Sequence, residues 1–100
     1  MKVAIASLGE NENSQISPVG GRAPYYLIFE NKKLVKVIKN PFRIGGGGAG
    51  FGVAKMLADE GVEMVVAGRI GPNMKAALEE KGIKYLEATG VVREVLDKLS

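Results

Sequence analysis

The residues of this chain best suited to chemistry are a run of glycines and three arginines. Six of the fourteen glycines fall within residues 45–52, in the stretch RIGGGGAGFGVAK, and Arg22, Arg43 and Arg69 stand in or beside other polar, glycine-containing stretches. Glycine lets backbone N–H groups come close to an anion, and a guanidinium adds a planar set of donors, so the chemistry on offer is the binding of something negatively charged. Gly45, Gly47 and Gly50 satisfy G-x-G-x-x-G, but a run of glycines meets that pattern almost by necessity. No P-loop is present, because Gly52 is followed by Val53 and Ala54 where Lys and Ser or Thr belong. A sharp turn off a strand into a helix accounts for the glycines equally well, and the two readings stay open at this point.

Composition narrows the alternatives. The 100 residues contain no cysteine and no histidine, so thiolate or imidazole ligation and histidine-based catalysis have no residues to work with. Ser7 lacks a base to activate it, and the acids Glu79, Glu80, Glu87, Glu94 and Asp97 form no evident acid and base pair. A non-enzymatic domain is expected, with no metal site. The formal charge of +3 comes from lysines spread along the chain, which does not point to nucleic acid. With 46% hydrophobic and 25% charged residues, a single globular domain over 1–100 is expected. No stretch approaches the roughly 20 apolar residues of a membrane span, and MKVAIASLGENENSQ is too short in apolar residues for a leader, so the expected location is cytoplasmic.

The elements that must position the glycines and arginines follow from periodicity. Val3-Ala-Ile-Ala6 reads as a strand buried on both faces, at 2–7. A polar, aperiodic loop over 8–24 follows, and loops of that length are commonly functional or mobile. YYLIFENKKLVKVIKN reads as a hairpin with strands at 25–30 and 34–39, turning at Asn31-Lys32-Lys33, its lysine-rich second strand lying at a sheet edge. Helices are predicted over 48–60, from Pro72 to Gly82, and after Thr89 as cap, with buried faces at Val53, Met56 and Leu57, at Met74, Ala77 and Leu78, and at Val92, Val95, Leu96 and Leu99. VEMVVAG and IKYLEA supply two further strands. The order βββαβαβα predicts a three-layer α/β/α domain, its mixed five-stranded sheet ordered 3-2-1-4-5 with strand 2 antiparallel. That topology gathers the 8–24 loop, the glycine run, the Gly68–Pro72 turn and Ala88-Thr89-Gly90 at one carboxyl edge, where three helix N-termini offer amides to an anion. The ligand-binding residues expected there are Arg22, Gly46, Gly47, Gly48, Gly50, Arg69 and Gly71.

Three stretches also carry a family likeness. MKVAIAS, SPVGGRAPYYLIFENKKLVKVIKN and GGGGAGFGVAKMLADEGVEMVVAGRIGPNMKAALEEKGIKYLEATG resemble the dinitrogenase iron-molybdenum cofactor biosynthesis family, which includes NifX, NafY and the C-terminal part of NifB. The resemblance covers essentially the whole chain. It implies a small three-layer α/β domain with a ribonuclease-H-like strand arrangement. The role it implies is that of a carrier of iron-sulfur or iron-molybdenum clusters, working with protein partners in cluster assembly. Members commonly carry a histidine before Phe-Gly where this chain has Val19-Gly20-Gly21, and many carry Gly-His-Gly-Ala-Gly where this chain has Gly46-Gly47-Gly48-Ala49-Gly50. From the residues alone, a phosphate-bearing metabolite or nucleotide bound at the same loops is the alternative ligand.

Overall fold

A computed structural model of the chain describes residues 1–44 and 48–99. Five strands and three helices follow in the order β1 Lys2–Ser7, β2 Tyr25–Glu30, β3 Lys33–Lys39, α1 Ala49–Asp59, β4 Met64–Ala67, α2 Pro72–Glu80, β5 Lys84–Glu87 and α3 Val92–Lys98. The sheet runs β3-β2-β1-β4-β5, with β2 antiparallel to both its neighbours and β4 and β5 parallel to β1, as the sequence predicts.

Alternation along the strands builds two cores. Ala4, Ala6, Tyr26, Ile28, Val65 and Ala67 face one side, where Val53 and Leu57 of α1 and Met74 and Leu78 of α2 close over them. Val3, Ile5, Leu27, Phe29 and Val66 face the other, under Val92 and Leu96 of α3. Each large side chain so buried contributes about 1.5–3 kcal/mol of transfer free energy. This two-sided burial is why β1, β2 and β4 read as continuous apolar runs. Among the described residues no helix is long and apolar enough to cross a membrane.

The β2–β3 turn is tighter than the three-residue turn expected, because Lys33 pairs with Glu30 and joins β3. Asn31 and Lys32 are left as the two turn residues, with φ of 49° and 65°. Positive φ at both positions matches the right-handed twist of a hairpin, but a lysine there has a Cβ against its own carbonyl. Lys32→Gly is therefore expected to stabilise the domain by about 0.5–1 kcal/mol, which is the left-handed penalty relieved less the added chain entropy of glycine. A thermal melt should rise by a few degrees, and an unchanged or lower midpoint would contradict the assignment of strain to Lys32.

Two expectations at the opposite end of the sheet need correction. Thr89 does not cap α3; the residue before the helix is Val91, which has no capping side chain. The helix instead draws its first acceptors from the 8–24 loop, where Ser14 and Glu12 carbonyls accept from the amides of Val92 and Arg93, both at 2.9 Å. Nor is that loop loosely held. It pairs backbone to backbone at Ser7 with Ile16 and at Gln15 with Val91, and it buries Ile16 and Ala23. Arg93 fastens it from the far side, donating from Nε to Glu12 at 2.7 Å, from Nη1 to Asp97 at 3.0 Å and from Nη2 to the Lys32 carbonyl at 3.0 Å, with its guanidinium 5.8 Å from the Phe29 ring centre.

Candidate functional site at the carboxyl edge of the sheet

Three segments meet where β1, β3 and β4 end. The 17–24 loop lies against the 68–72 turn through Gly68 N–H to Ser17 O, 2.8 Å, and Gly20 N–H to Arg69 O, 2.9 Å. Below it the buried Tyr26 hydroxyl donates to Gly20 O at 2.5 Å, and burial pushes that phenol far above its ordinary range, so it serves as a fixed donor. Asn40, 4% exposed, ties the loop to the third segment. Its Nδ2 donates to Gly21 O at 3.2 Å and Ala23 O at 2.9 Å, while its Oδ1 accepts from Phe42 N–H at 2.9 Å.

The anion-binding residues proposed from sequence divide into groups. Gly46 and Gly47 lie outside the described residues. Gly48 precedes α1 with φ 88°, a conformation that suits glycine, and it has no side chain with which to cap the helix. Gly50 answers to packing: a Cβ there would sit 2.9 Å from Met74 Cβ, so glycine lets α1 and α2 touch. Gly21 approaches the same helix start, its Cβ direction meeting Gly50 N at 3.4 Å. Gly71 precedes α2, with no capping side chain and open space where a Cβ would be. Arg22 and Arg69 are both exposed at the rim of these loops. Two of the three expected helix starts, those of α1 and α2, therefore serve this edge, while the third is occupied by the loop carbonyls described above.

The 68–72 turn opens onto a cleft of about 480 Å³ lined by Gly68, Arg69, Ile70, Gly71, Pro72, Lys75 and Glu87. Glu87 Oε2 accepts from the Ile70 amide at 2.8 Å and lies 3.8 Å from Lys75 Nζ. The Ile70 N–H is the main cause that holds this carboxyl below its ordinary range; desolvation opposes it, and the charges of Lys75 and then Arg69 add lesser lowering effects. The sequence offers Glu87 only as one of several acids that form no evident acid and base pair. Nothing local marks it, because its place depends on the parallel register that sets Glu87 beside Ala67, three residues before Ile70. Asn40 was missed likewise; the Asn-Pro pair ending β3 is its only local signal. Among the described residues no three His, Cys, Asp or Glu side chains converge as a metal site would require.

Fold and edge together define a small α/β domain whose sheet edge gathers Arg69, Lys75, Glu87 and the backbone of the 68–72 turn. The chain belongs to the dinitrogenase iron-molybdenum cofactor family, whose model matches residues 1–100. Among solved structures it is similar to a Thermotoga protein provisionally described as NifB, at 32% identity, a TM-score of 0.81, and coverage of 96% of this chain and 84% of that one. It is also similar to the apo form of the orange protein from Desulfovibrio gigas, at 25% identity, a TM-score of 0.87, and coverage of 97% and 84%. An uncharacterized protein of Methanocaldococcus jannaschii, MJ0580, is 29% identical over 92 residues, covering 88% of this chain and 75% of its own length.

Proposed function

We propose that this domain is a non-enzymatic carrier that holds an anionic iron-molybdenum or iron-sulfur cluster as cargo during metal-cluster assembly. The observation that carries the reading is the pairing of family membership with a donor set made of Arg22, Arg69 and uncapped helix starts, in a sequence without cysteine or histidine. Such donors suit the outer sulfides and net negative charge of an assembled cluster but make few direct bonds to iron. The cargo is thus held as an intact anion and released without breaking a metal–ligand bond. Gly48 and Gly50 would face it from the α1 side, and Arg69 and Gly71 from the α2 side.

Titration of the protein with a synthetic anionic iron-sulfur cluster and, separately, with zinc tests this reading through amide shifts. The cluster is expected to shift Gly48, Gly50, Gly71 and the loop around Arg22, and Arg69→Ala to weaken its binding about tenfold, the size of one charge-assisted hydrogen bond at a partly solvated position. Zinc is expected to bind no better than to any acidic surface. Tight zinc binding, or cluster shifts confined to the opposite edge of the sheet, would defeat the proposal.

A further inference from the structure

The same cleft contains its own anion. Glu87 stands at the end of β5, where the Ala88 amide bonds Ala67 O at 2.9 Å and anchors the strand. Its carboxylate takes the Ile70 amide at 2.8 Å and sits 3.8 Å from Lys75, with Arg69 on the adjoining turn. A sulfate or phosphate entering this cleft would need those same donors, since a tetrahedral oxyanion and a carboxylate present oxygens of similar size and charge to an amide N–H. We propose that Glu87 is a selectivity residue: by filling the anion-sized position at the Ile70 amide it turns small oxyanions away and leaves the cleft to larger polyanions that engage Arg69 and the α1 start from outside. The inference rests on reading this edge as an anion site. It deepens that reading by stating which anions are refused.

The chemistry behind the selection is competition at fixed geometry. A small oxyanion must displace Glu87 and leave its Oε2 to find other partners, and it gains only the donors that Glu87 gives up. A larger polyanion can engage Arg69, which is exposed, without needing the Ile70 amide. A ligand that has to seat a lone phosphate group at the Ile70 amide is disfavoured on this account.

Two substitutions separate charge from occupancy. Glu87→Gln keeps an acceptor for the Ile70 amide and removes the charge, whereas Glu87→Ala empties the position; Glu87 is 43% exposed, so neither change disturbs a core. Sulfate titrations at low ionic strength, read at the amides of Gly68, Ile70 and Gly71, are expected to show the alanine variant binding about tenfold or more tightly than wild type, with the glutamine variant between them. Lys75→Met in the alanine background should remove most of that gain. Equal sulfate affinity in all three proteins overturns the proposal, as does a gain that maps away from Ile70. Sulfate binding gained by Glu87→Ala in a protein that never takes up an iron-sulfur cluster would defeat the carrier reading and leave this one intact. Cluster uptake by wild type with no sulfate gain in either variant does the reverse.

Discussion

Gly68→Ala is expected to destabilise the domain by about 3 kcal/mol, at the upper end of what overpacking costs in a well-packed interior. A Cβ at residue 68 would lie 2.6 Å from Pro18 Cα, 2.9 Å from Ser17 O and 3.0 Å from Pro18 O. All three atoms are backbone, so no rotamer change can clear them. The segment cannot drift away either, because Gly68 N–H is bonded to Ser17 O at 2.8 Å, Ser17 N–H to Ala6 O at 2.9 Å and Gly20 N–H to Arg69 O at 2.9 Å. The alanine must strain these bonds or break them. For a chain of this length the thermal midpoint should fall by about 12–24 °C. A loss below about 1 kcal/mol in urea unfolding would mean that the 17–24 loop slides freely over the end of β4, contrary to the hydrogen bonds that pin it.

Asn40→Leu is expected to cost a further class of energy, about 3–5 kcal/mol, through unpaired polar groups in place of steric conflict. Leucine matches asparagine in size but leaves the Gly21 and Ala23 carbonyls and the Phe42 amide without their present partners. Because Asn40 is buried, water does not readily replace it. The loss should be accompanied by faster hydrogen exchange at Phe42 than at Val65 in the central sheet, since the bonds broken belong to the two loops. A variant that retains full stability, or one whose exchange rises uniformly, would show that Asn40 does not hold those loops together.

The sheet was legible in the sequence because its signals are local. The apolar runs of β1, β2 and β4 and the helical spacing of Val53, Leu57, Met74 and Leu78 each reflect neighbours within one element. Chain order and handedness then left little choice of topology. What the sequence withheld is long-range. The start of α3 is set by carbonyls of residues 12 and 14, so a threonine with good capping chemistry at 89 lost to a backbone partner far away in the chain. The polar composition of 8–24 suggested looseness, yet its Ile16 and Ala23 are buried and its amides bonded. In the site, the arginines and glycines announced themselves by type. Glu87 and Asn40 did not, because each acquires its role only when another strand or loop is in register beside it.

The clasp made by Arg93 also bears on how the molecule is built in time. Glu12 and Arg93 are separated by 81 positions, and the amides that bond the loop around Glu12 belong to the same C-terminal stretch. A chain emerging from the ribosome can assemble the β2–β3 hairpin from neighbouring residues, but residues 12–16 of the loop after β1 have to wait for α3 before they are held. Contacts of such long sequence separation close late and slowly. The nascent chain can thus pair its strands before the loop that follows β1 is fastened.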